Sequence, residues 1–83
     1  MNRITIEIYL PSAAKTFDVS IPIDMYLHQV TELAAKILTE LSGGFYSADE
    51  TSVLCDKNTG AFLNGNMMVW ELELQNGSQL MLI

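Results

Sequence analysis

The chain has one cysteine, two prolines and four basic residues among its 83, and each scarcity excludes something. A lone Cys55 cannot build an internal disulfide framework, so the fold must hold without staples, as suits a reducing compartment. Two prolines in a sequence that is 49 % apolar exclude a disordered, proline-rich chain. Four Lys and Arg against ten Asp and Glu give a formal charge of −6. Nucleic acids and anionic lipid surfaces are held chiefly by basic side chains, so neither is the expected partner. The acids are scattered rather than gathered in a tail, a pattern that serves solubility. No stretch nears the roughly 18 consecutive apolar residues of a membrane span. The opening MNRITIEIYL alternates where a secretory leader would be continuously apolar. The expectation is a single domain over residues 1–83, soluble and cytoplasmic, near the lower size at which one core suffices.

What is present is periodic. Residues 24–44, DMYLHQVTELAAKILTELSGG, carry the one sustained helical repeat. Leu27, Val30, Ala34, Ile37 and Leu41 recur three and four apart, with Leu33 and Leu38 widening the stripe. Asp24 is the expected N-cap and Ser42-Gly43-Gly44 the stop. Residues 3–10, RITIEIYL, alternate with Ile4, Ile6, Ile8 and Leu10 on one face, and 16–21, TFDVSI, with Phe17, Val19 and Ile21 on one face. Two such runs five residues apart predict an antiparallel hairpin, which Pro22 ends. In 51–56, TSVLCD, Val53 and Cys55 share a face and are expected inward, leaving Leu54 outward. A turn at 57–60, a short strand at 61–63, an irregular crossover at 64–73 and a closing strand at 79–83 complete the chain. In that last strand Leu80 and Leu82 are expected inward, Met81 and Ile83 outward. The order β-β-α-β-β-β implies an α+β domain, one helix packed on a mixed sheet. The strongly apolar first and last strands take central places, and a parallel pairing between them is allowed.

Little in this pattern carries chemistry. His28 and Glu32 lie one helical turn apart, but two ligands are too few for a metal, and an exposed polar pair is the simpler reading. Nothing nearby in sequence activates Cys55, which reads as a small inert hydrophobe. The stretch from Asp56 resembles the start of a calcium loop, yet its sixth and twelfth positions are Ala61 and Met67 where glycine and glutamate are needed. Asn76-Gly77-Ser78 matches a glycosylation acceptor and reads as a turn. There is no phosphate-binding glycine loop, no nucleophile elbow and no paired carboxylates in a plausible pocket, so neither enzymatic activity nor a cofactor is expected. Trp70 with Met67 and Met68, and Phe45 with Tyr46, are either covers over the core edge or contact residues for a partner.

The order, lengths and apolar positions resemble the ubiquitin-like β-grasp fold over essentially the whole chain, most specifically at Leu63, Val69, Leu74, Leu80 and Leu82. Within it, LHQVTELAAKI at the helix and LQNGSQLMLI at the end are similar to the YukD/EsaB proteins of type VII (WXG100) secretion systems. The resemblance implies a non-enzymatic protein that binds or regulates the secretion machinery. It also implies that Leu54, Met81 and Ile83 project from adjacent strands away from the helix, extended by Tyr9, as a contiguous apolar site for a protein partner; scattered surface hydrophobes are the bland alternative. A second reading is a sulfur carrier or conjugated modifier, which the ending Leu80-Met81-Leu82-Ile83 disfavours because those proteins need a C-terminal Gly-Gly. A third is a self-associating subunit that closes a homodimer through the same face.

Overall fold

The computed structural model describes residues 2–44 and 52–83; Phe45, Tyr46 and Thr51 fall outside them. The elements are β1 (Arg3–Leu10), β2 (Lys15–Pro22), α1 (Leu27–Leu41), β3 (Leu54–Asp56), a 3-10 turn (Val69–Leu72) and β4 (Gln79–Leu82). The sheet runs β2-β1-β4-β3. Strand β1 is antiparallel to β2 along its whole length and parallel to β4, and β3 is antiparallel to β4. The first and last strands are thus central, as their strongly apolar character predicts, and the parallel pairing the sequence allows is the one present. The strand expected at 61–63 reduces to one bridge, Cys55 with Phe62. Flanking bonds tie it down, Leu63 N–H to the Leu54 carbonyl and Asp56 N–H to the Ala61 carbonyl.

Period-two alternation puts Ile6, Ile8, Leu10, Val19, Ile21, Leu80 and Leu82 under the helix, all buried. From α1 the chain buries Leu27, Val30, Ala34, Ala35 and Leu38 against them. Leu33, Ile37 and Leu41, expected in the buried stripe, stay exposed. One sheet below a helix covers a single arc of it, and Leu33 and Ile37 lie off that arc, whereas Leu41 is in line with Val30 and Ala34 but is the last residue of the helix.

The helix begins two residues later than Asp24 as N-cap predicts. Tyr26 stands at the N-cap position without a side-chain cap bond, and Gln29 Oε1 accepts from its N–H at 3.2 Å. The first free amides are served by the crossover instead: Leu27 N–H donates to Met67 O (2.9 Å) and His28 N–H to Gly65 O (3.1 Å). Orphan donors of a first turn need partners, and here distant backbone supplies them. At the other end Gly43 and Gly44 take φ of +66° and +92°, as a glycine stop requires.

Strand β2 is an edge. Ile23 N–H bonds Asn2 O, so by alternation the odd residues of β2 turn their amides toward β1 and the even ones outward. Of the outward groups, Pro22 has no N–H, and the Ser20 carbonyl is taken by Arg3 Nη2 at 2.9 Å while Arg3 Nε donates to Ser20 Oγ at 3.0 Å.

Candidate functional site

The registers place one row of side chains across the sheet face turned away from α1. Tyr9 of β1 is opposite Met81 of β4, Met81 is opposite Cys55 of β3, and Cys55 is opposite Phe62. Directly opposed residues share a face, so the four form a continuous strip. Ile83 adds to it beside Val53, with which it exchanges both backbone bonds, at 2.9 and 3.1 Å. Exposure grades along the strip: Tyr9 and Met81 are half-buried, Ile83 is 45 % exposed and Phe62 70 %. Cys55 forms its floor, buried, with Sγ donating to the Met81 carbonyl at 3.5 Å. Lys57 Nζ stands 5.2 Å from the centre of the Tyr9 ring, a cation–π contact that holds the ring edge against the strand end.

Leu54 does not belong to this strip. It is 2 % exposed and joins the core, because its partner in the ladder is the inward-facing Leu82. The expected phase of this strand is therefore reversed: Leu54 faces the helix, while Val53 and Cys55 lie on the opposite side. Three consecutive apolar residues leave the phase open from within the segment, and the pairing with β4 decides it. Phe62 is the residue that sequence reasoning missed. Its signal was its place in an expected strand adjoining Cys55, where alternation alone assigned it no role. Tyr9, Met81 and Ile83 come together as expected.

Trp70 lies elsewhere. Its N–H bonds Ile23 O at 3.1 Å, near the end of β2 and the start of β1, and its indole Nε1–H donates to Met68 Sδ at 3.2 Å. Tyr9, by contrast, is near the opposite end of β1. His28 stacks on Tyr26 with ring centres 5.6 Å apart and, with Glu32, borders a shallow groove between α1 and β3. Asp56 Oδ1 accepts from Asn58 N–H (2.7 Å) and Thr59 N–H (3.1 Å), which commits that carboxylate to closing the turn. Among the described residues no cluster of three or more His, Cys, Asp or Glu could hold a metal, and no helix is long and apolar enough to cross a membrane.

Burial pushes the Cys55 thiol up, and the adjacent Asp56 carboxylate pushes the same way. A group whose folded pKa is raised keeps its contribution to stability below its ordinary value, 9.0 here, and loses it as the pH rises beyond. Alkylation of native Cys55 by iodoacetamide at pH 8 is expected to run about tenfold or more slower than in denatured chain, since the thiolate is the nucleophile. A time course of intact mass checks it; equal rates would put Cys55 at the surface.

A hairpin, a helix and a last strand parallel to the first define a ubiquitin-like β-grasp domain. No family model matches the chain and no curated protein matches it by sequence. By structure it is similar to the ubiquitin-like domain of the Mycobacterium tuberculosis type VII secretion system protein ECCD1, with TM-score 0.80, 13 % identity, and coverage of 100 % of this chain and 99 % of that one. It is similar also to a chain of an ESX-5 inner membrane complex, with TM-score 0.82 and 15 % identity over 100 % of this chain and 21 % of that one. A third similar chain comes from work on molecular mimicry of SUMO in DNA repair, with TM-score 0.77, 19 % identity, and coverage of 100 % and 92 %. Identities this low speak to the fold, and the fold they share is ubiquitin-like.

Proposed function

We propose that this domain is a non-enzymatic protein-binding module that docks a protein component of a type VII secretion system, as an accessory or regulatory subunit of the YukD/EsaB kind. The observation that carries the reading is the strip Tyr9–Met81–Cys55–Phe62 with Ile83 beside it. Contiguous apolar area on an acidic surface marks an interaction site more often than scattered hydrophobes do. Tyr9, Met81 and Cys55 of the strip sit on paired strands, so ordering them on docking costs little conformational entropy. Likeness to a ubiquitin-like domain of a type VII secretion protein, and to a chain within an ESX-5 inner membrane complex, supports the choice of partner.

The mechanism is burial of Phe62 and Ile83 in a complementary apolar pocket, with Met81 adapting between them. Met81→Asp places a charge at the centre of the strip without entering the core. It is expected to weaken capture of a secretion-system component about 30-fold or more, as loss of a hot spot does, while the circular dichroism stays native. The check is quantitative affinity capture from cells carrying the secretion locus, wild type against variant. A folded Met81→Asp protein that retains the same component would remove this face from the mechanism.

A further inference from the structure

The geometry points to a second docking surface around Trp70, which receives a basic segment of a protein partner by seating a guanidinium on the indole face. This goes beyond the sheet-face reading and does not depend on it. Trp70 is 57 % exposed and Tyr26 42 %. The two belong to one patch, because Tyr26 bridges Met68 and Met68 Sδ accepts the Trp70 indole N–H at 3.2 Å. That bond pins the indole and occupies its only polar group, so what Trp70 offers outward is its ring.

Three carboxylates flank Trp70 along the chain and its backbone bonds, of which Glu71 caps the 3-10 turn by accepting the Met68 N–H at 3.0 Å. Asp24 lies between Ile23 and Met25, whose carbonyls accept the Trp70 and Val69 amides at 3.1 and 3.0 Å. Glu71 and Glu73 follow along the chain, and all three acids are exposed. An electron-rich ring amid negative charge is a receptor for a cation. Among the described residues no cation is recorded over this ring, and no Lys or Arg occurs in residues 16–35 or 58–83. The four Lys and Arg side chains are placed or engaged otherwise, Arg3 at the same end of the sheet but committed to Ser20. Lys57 stands over Tyr9, Lys15 is at the far end of β2, and Lys36 is in the second half of α1. The contrast with Tyr9 is direct, since that ring has its cation supplied from within the chain. Arginine suits the place better than lysine, because its flat, weakly hydrated guanidinium stacks on an aromatic face.

The test uses a fluorescein-labelled peptide of alternating glycine and arginine, with a glycine–glutamate peptide as control, at low salt. Binding of the arginine peptide is read by anisotropy and by the fluorescence of Trp70, the one tryptophan in the chain. Trp70→Leu is expected to weaken binding about two- to fivefold, and Asp24→Asn with Glu73→Gln by a similar factor, whereas Thr16→Ala, exposed on β2, leaves it unchanged. Equal affinity of wild type and Trp70→Leu would overturn the proposal, reducing the attraction to net charge alone. Should Trp70→Leu fold poorly, amide shifts in the wild type decide. Changes confined to residues 23–28 and 68–73 support the site, and changes spread over the whole surface overturn it.

Discussion

Leu54→Ala is expected to destabilise the domain by about 2–5 kcal/mol, the range for emptying a buried leucine site. Leu54 is 2 % exposed, opposes Leu82 across the ladder and packs in the core beneath α1. A domain of this length has roughly 4–12 kcal/mol of stability to lose, so the melting temperature should fall by about 10 °C or more. Thermal and urea denaturation followed by circular dichroism measure it. A loss under about 0.5 kcal/mol would be the behaviour of a surface position and would contradict the register of β3. The result also bears on function. A charge at Leu54 unfolds the chain, so lost partner capture in such a variant says nothing about docking. Met81→Asp is the informative change.

The second large effect lies at the centre of the sheet. Ile8 and Leu80 face one another in the parallel pair of β1 and β4, and both are essentially inaccessible. Leu80→Ala should cost about 2–5 kcal/mol with little change in the urea m-value, since the surface exposed on unfolding is nearly the same. Combined with Ile8→Val, it should be non-additive by about 0.5 kcal/mol or more, as contacting residues share one cavity. Strict additivity in the double-mutant cycle would mean that the two do not touch and that the pairing of first and last strands is displaced.

The sequence made most of this fold legible where a period repeats. Strands β1, β2 and β4 alternate over several residues, and every inward assignment among Ile6, Ile8, Leu10, Val19, Ile21, Leu80 and Leu82 follows from that alone. The three-residue β3 has no room for a period. Val53, Leu54 and Cys55 are all apolar, and counting favoured the face with two of them. The deciding term was the non-local pairing of Leu54 with Leu82. The helix start shows the same limit. Asp24 is a sound local cap, but the Met67 carbonyl, distant in sequence, takes the Leu27 amide it would serve. Periodicity gives the width of an apolar stripe and not how much of it a sheet can cover, which hides the exposure of Leu33 and Ile37, nor where along the helix the cover stops, which hides that of Leu41. For the candidate site, Tyr9, Met81 and Ile83 were readable by alternation, whereas Phe62 enters only through its bridge to Cys55.

The outer margin of β2 has a consequence for behaviour in concentrated solution. With Pro22 lacking a donor and Arg3 clamped on Ser20, only Thr16 and Asp18 keep both outward amide groups free along that border. Sheet-stacking polymers are seeded by uninterrupted segments of about six residues, and this border is interrupted by the arginine at Ser20 and by Pro22 before it reaches that length. The domain can therefore present a hydrophobic strip on its sheet face without also acting as a template for fibrils. Binding and polymerisation, which both call for exposed β-structure, are separated by one guanidinium and one imino acid.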